Sequence, residues 1–147
     1  MMIRAIQRIG LISFMCLMLF GCSLLVKELH LSLPAEIVAE DPYVVGTLTE
    51  WAATVSTAYP VPNPYDGTSA DLSVQLIASG PGADNLNVNP GTVVILKGES
   101  VGEFFVSASY DELNPPVDPP ENWEYVTITA HAVGYDEDSV TITIRYP

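Results

Sequence analysis

The feature that most limits what this chain can fold into is a period of two in its apolar residues. Trp51/Ala53/Val55, Leu72/Val74/Leu76, Phe104/Val106/Ala108, Val126/Ile128/Ala130 and Val140/Ile142/Ile144 alternate with positions held mostly by Ser, Thr and Gln. An extended backbone turns successive side chains to opposite faces, so each of these segments has one apolar and one polar side. A helix would scatter the same residues around its circumference. Segments 31–38, 48–57, 72–77, 93–96, 103–109, 125–132 and 140–145 are rich in Val, Ile, Thr and aromatics and are separated by turn residues. They read as strands, and no segment reads as a helix.

Two antiparallel sheets packed face to face bury seven such apolar faces, which predicts an all-β, Ig-like β-sandwich of about seven antiparallel strands over residues 31–147. Pro34 falls in the first strand and fits an edge, where a missing N–H costs no ladder bond. Lys97-Gly98 turns the fourth strand into the fifth. Residues 134–138 join the last two strands, whose Thr127/Thr129 and Thr141/Thr143 are placed to pair on the solvent face. Two proline-laden loops, 59–67 and 114–121, favour extended geometry. The PxxP string at Pro116 and Pro119 reads as a stiff surface loop. The two cysteines, Cys16 and Cys22, lie in or beside the N-terminal apolar run, so no disulfide staples the domain and its core must hold it unaided.

The N-terminus reads as an address. Arg4 and Arg8 precede the apolar run 9–20, a positive segment followed by a hydrophobic one of signal-peptide length. Leu19-Phe20-Gly21-Cys22 closes it and resembles the lipobox of bacterial lipoproteins. The resemblance implies that residues 1–21 are a cleaved signal peptide and that Cys22 is the lipid-modified first mature residue. Residues 22–30 are then a lipidated tether, anchored in the membrane through lipid on Cys22. By the sorting rule of Gram-negative lipoproteins, Ser23 implies a cell-envelope protein of the outer rather than the inner membrane. Apolar residues continue through Leu24, Leu25 and Val26, so an uncleaved anchor helix is the alternative.

The second half carries a further resemblance. Pro90-Gly91-Thr92-Val93 through Phe104-Phe105-Val106, then Tyr110-Asp111-Glu112, then Val126-Thr127-Ile128-Thr129-Ala130 through Gly134-Tyr135, looks like the pattern of bacterial Calx-beta-like surface modules. That likeness implies a seven-stranded sandwich used as a spacer or interaction module, in some members with calcium at one end. It would draw ligands from Asp111, Glu112 and Glu121 with an early glutamate, for which Glu40 is the nearest match. Asp111 and Glu112 follow the fifth strand, while Glu121 and Glu124 precede the sixth. Antiparallel succession brings these four carboxylates to one end, as a hard cation requires. The plainer reading is a solvated acidic rim without metal.

Catalysis finds little support. Gly98-Glu99-Ser100-Val101-Gly102 matches a nucleophile-elbow string, but that motif works as strand–turn–helix and here a strand follows. His30 sits in the tether or first strand, and His131 occupies the solvent-facing phase of its strand. Both read as surface imidazoles. Tyr59, Tyr65, Trp123 and Tyr135 stand in or beside turns, where they either stack on a sugar or protein partner or close the ends of the core.

Charge narrows the partners. The formal net charge is -13, and beyond the signal only Lys27, Lys97 and Arg145 stand against all 18 Asp and Glu. Nucleic acid and anionic headgroups are repelled by such a surface. The expectation is a non-enzymatic structural or adhesive module of the envelope, with an envelope protein or glycan as partner. A carbohydrate-binding lipoprotein and a calcium-stabilised accessory domain are the alternatives. No cofactor other than possible calcium is expected.

Overall fold

A computed structural model describes residues 27–61, 70–111 and 122–147. Residues 1–26 with Cys22, the greater part of the proline-laden loop 59–67 and the whole of loop 114–121 lie outside the described residues. Among the described residues nine strands, β1 (Leu29–Ser32), β2 (Glu36–Val38), β3 (Trp51–Thr57), β4 (Leu72–Ser79), β5 (Leu86–Asn89), β6 (Thr92–Ile95), β7 (Val101–Ala108), β8 (Trp123–His131) and β9 (Asp138–Arg145), form two sheets. The first sheet has the order β1-β3-β7-β5 and the second β2-β9-β8-β4-β6. The apolar phases read from the sequence meet between them. Phe104, Val55 and Val106 of the first sheet and Ile128, Val126, Val74 and Ile142 of the second are all 0–1% exposed.

The sequence reading needs four corrections. Segment 31–38 is not one strand: it breaks around Pro34, so that β1 pairs antiparallel with β3 while β2 crosses to the second sheet and pairs parallel with β9. Pro34 therefore sits between two edge strands rather than within one, and the sandwich is not wholly antiparallel. Leu29 and His30, assigned to the tether, open β1, and Leu29 is buried. β5 was missed because Leu86-Asn87-Val88-Asn89 is short and asparagine disfavours strands. Two helical turns also occur among the described residues, α1 (Pro42–Val45) and a 3-10 turn (Pro81–Asn85). Local chemistry rather than periodicity makes α1. The Asp41 side chain accepts from Tyr43 N, Pro42 occupies the first turn, and Gly46 closes it with positive φ.

The chain passes from β5 to β6, and so from one sheet to the other, across Pro90, where the Asn89–Pro90 peptide is cis. It passes back through Lys97-Gly98, with Gly98 at φ 92°. On the outer face of the second sheet, Thr127 pairs with Thr141 (Oγ1 to Oγ1 2.9 Å) and Thr129 with Ser139 (2.8 Å). Thr143 lies opposite Tyr125 instead.

Strand directions give the sandwich two distinct ends. At one, Lys27 adjoins the β8–β9 turn, with Asp136 N donating to its carbonyl at 2.7 Å and its ammonium 5.5 Å from the Tyr135 ring. At the other lie the start of β8, the end of β9, the end of β2 and α1.

Candidate functional site

The end opposite Lys27 gathers the most exposed recognition chemistry. Trp123 opens β8, and strand alternation carries Trp123, Tyr125, Thr127 and Thr129 to the outer face, with Arg145, Thr143, Thr141 and Ser139 opposite them on β9. The Trp123 and Tyr125 rings meet edge to face, centroids 4.7 Å apart and planes at 61°. Tyr125 is 52% exposed. Beside them Arg145 clasps Glu36 of β2 with two hydrogen bonds, Nε to Oε1 at 3.0 Å and Nη2 to Oε2 at 2.8 Å. The guanidinium holds the Glu36 carboxyl below the usual carboxylate range, and the carboxylate raises Arg145 in turn. Nearby, α1 displays Tyr43, Val44 and Val45, all exposed.

A buried polar group supports this corner from inside. Tyr146 is 4% exposed, donates its hydroxyl to Glu124 Oε2 at 2.8 Å and accepts from Asn85 Nδ2 at 3.0 Å. Burial, and then the Glu124 carboxylate, push the phenol well above its ordinary pKa. The sign follows. The folded state keeps the Tyr146 proton at pH values where the unfolded phenol, near pKa 10, has lost it. Stability from this group is therefore full below about pH 10 and falls as pH rises above it. Tyr146→Phe is expected to lower stability by about 1–2 kcal/mol at neutral pH and to flatten the alkaline loss. Urea unfolding at neutral pH and again above pH 10 checks both, and parallel pH profiles in the two proteins would contradict the assignment.

The proposed calcium ligands are not drawn together by what is described. Glu40 runs beside the end of β7, where Tyr110 N donates to its carbonyl, but its carboxylate receives Thr49 N at 2.6 Å and Thr49 Oγ1 at 2.9 Å. Glu124 points inward to Tyr146. Asp111 is exposed on the loop after β7, while Glu112 and Glu121 lie outside the described residues. Among the described residues no three His, Cys, Asp or Glu side chains converge.

The aromatic candidates separate likewise. Tyr59 lies beyond β3 at the Lys27 end, and Tyr135 packs on the core beneath the Lys27 ammonium, closing that end as a lid. Tyr65 lies outside the described residues. Trp123 belongs to a strand, not a loop, and its neighbour is Tyr125, which the sequence reading passed over. The signal was present: Tyr125 shares the outward phase of Thr127 and Thr129. Ser100 precedes strand β7 and its carbonyl receives Thr57 N, as a turn residue's does. His131 pairs with Glu137 (Nδ1 to Oε1 2.5 Å) on the surface, and His30 lies 3.7 Å from Glu28. On the outer face of the first sheet a hollow of about 170 Å³ lies between Ser32, Thr54, Glu103 and Phe105, with a single carboxylate on its rim. No helix among the described residues is long and apolar enough to cross a membrane.

The class of protein that this architecture defines is an all-β sandwich of two packed sheets, and solved structures share it. The SrpA adhesin of Streptococcus sanguinis superimposes with a TM-score of 0.52 at 15% identity, over 81% of this chain and 56% of that one. The periplasmic chaperone SfaE gives 0.48 at 8%, over 80% and 56%. A conjugative transposon lipoprotein from Bacteroides eggerthii gives 0.40 at 8%, over 82% and 97%. This chain thus spans little more than half the length of the first two. The sequence matches no family model and no curated protein.

Proposed function

We propose that this protein is a non-enzymatic structural or adhesive module of the bacterial cell envelope, held by lipid on Cys22 and making its contacts through the end away from that anchor. The observation that carries the reading is the polarity of the sandwich. Lys27 lies at one end, whereas Trp123, Tyr125 and the exposed Tyr43-Val44-Val45 turn lie at the other. Lys27 is five residue steps from Cys22, a reach of at most about 17 Å, and strands of eight residues set the two ends about 25 Å apart. An anchored domain therefore turns its aromatic end outward. The sandwich shared with an adhesin supports the adhesive part of the reading, and Ser23 after the lipid-accepting cysteine supports the outer membrane.

Fluorophores on Val133→Cys and on Tyr43→Cys test the polarity in the processed protein, reconstituted into bilayers with nitroxide-labelled headgroups. Both positions are exposed, 90% and 92%. Quenching is expected at position 133, in the turn beside Lys27, and not at 43. Equal quenching, or the reverse order, would refute the reading.

A further inference from the structure

Resting on that reading and naming the ligand class, we infer that the Trp123–Tyr125 corner and the hydroxyl-bearing face beside it bind a neutral polysaccharide of hexopyranose units. In a chain with 18 carboxylates, none stands at the outward phase of β4, β6, β8 or β9. Thr127, Thr129, Ser139, Thr141 and Thr143 hold that face instead, and Glu36 at its edge is neutralised by Arg145. The acidic surplus lies elsewhere. Apart from the Glu137 carboxylate held by His131 at the far end of β8, the face carries no unpaired charge within an anionic molecule, which favours a neutral ligand and repels uronates, phosphates and nucleic acids.

The aromatic pair gives the ligand its chemistry. Both rings face away from the core, so burial between the sheets does not account for their place. Set at 61°, they make a notch in which the C–H face of a pyranose covers one ring while its edge meets the other. Sugar hydroxyls can accept from the Arg145 N–H groups that Glu36 leaves over and donate to the remaining lone pairs of its carboxylate, and the Thr and Ser hydroxyls can each donate or accept. A protein partner would call for one contiguous apolar centre, whereas the exposed aliphatics of this face stand in separate rows, Val38 beside Arg145, Ile77 beside Thr129 and Val94 beside Ser73. An open sheet has no walls, so each sugar is only partly buried and several consecutive units are needed to bind.

The test uses the processed protein in phospholipid nanodiscs, free of sugar detergents. Tryptophan emission from Trp51 and Trp123 is titrated with cellohexaose, N-acetylchitohexaose and mannohexaose, with hexagalacturonate as the anionic control. At least one neutral hexasaccharide is expected to saturate the signal with a Kd below about 1 mM. Trp123→Ala and Tyr125→Ala should each weaken binding about tenfold or more, while Tyr59→Ala leaves it unchanged. In the unmodified protein the bound sugar should protect Tyr125, but not Tyr59, from nitration, a readout that needs no variant to fold. Absence of binding by all three neutral sugars, equal binding of hexagalacturonate, or unprotected Tyr125 at saturation would overturn the inference. The bilayer-quenching result stands or falls separately, because it depends on the anchor and not on the sugar.

Discussion

Gly102→Ala is expected to destabilise the sandwich by about 2–3 kcal/mol, and the loss should be recovered in part by a second change at Val93. Gly102 is buried in β7 of the first sheet, directly beneath β6 of the second. A Cβ there would stand 2.3 Å from Val93 Cγ1 and 3.2 Å from Ile95 Cγ1, well inside contact distance. Val93 and Ile95 are themselves 3% and 0% exposed, and β-branched side chains have few rotamers to retreat into. Replacing glycine also stiffens the unfolded chain, which favours folding by about 0.4–1 kcal/mol, so overpacking is the larger effect. Val93→Ala alone leaves a cavity. In Gly102→Ala/Val93→Ala the new methyl occupies part of that space, so the double variant should be more stable than the sum of the single losses by about 1 kcal/mol or more. Urea unfolding of the four proteins measures this coupling, and losses that add within about 0.5 kcal/mol would show that the sheets do not meet at Gly102.

Cys22→Ser is expected to abolish lipid attachment altogether. The thiol is the atom on which the lipobox chemistry acts, and a serine hydroxyl forms no thioether. Two acyl chains on the thiol and one on the new amino terminus anchor firmly, since each buried methylene contributes about 0.8 kcal/mol and one chain alone is marginal. Radiolabelled palmitate should mark the wild-type protein and a Cys16→Ser variant but not Cys22→Ser. Cys22→Ser should also retain its 21-residue leader and migrate as the larger precursor. If Cys22→Ser still takes up palmitate, or all three proteins migrate alike without label, the address has been misread and the segment is an uncleaved anchor.

Much of the fold was legible because strand alternation is a local property. The phase of Val126/Ile128/Ala130 predicted which side of β8 is buried, and the same phase placed Thr127 opposite Thr141 on the outer face, where their hydroxyls lie 2.9 Å apart. The proposed membrane address rests on local sequence as well, since a basic start, an apolar run and one cysteine form a linear string. The absence of a staple from the domain followed from the position of Cys16 and Cys22 alone.

Pairing is not local, and there the tertiary structure decided. Residues 31–38 alternate as one strand, yet the chain leaves the first sheet near Pro34 because β9 offers a parallel partner that no nearby residue announces. That crossing is what lets Glu36 meet Arg145, 109 positions away, and turns one of the few bases in an acidic chain into one half of a neutral pair. Glu124, which the sequence offered as a cation ligand, faces inward because alternation from Val126 carries it to the core side. There Tyr146 and Asn85, brought by two other elements, close the network around its carboxylate. Trp123 looked like a loop residue beside prolines and proves to be the first residue of β8, held opposite Arg145 by the ladder to β9. Alternation specifies which side of a strand faces the core at each residue, whereas the neighbour across the sheet is selected by the whole set of apolar faces that must be covered at once.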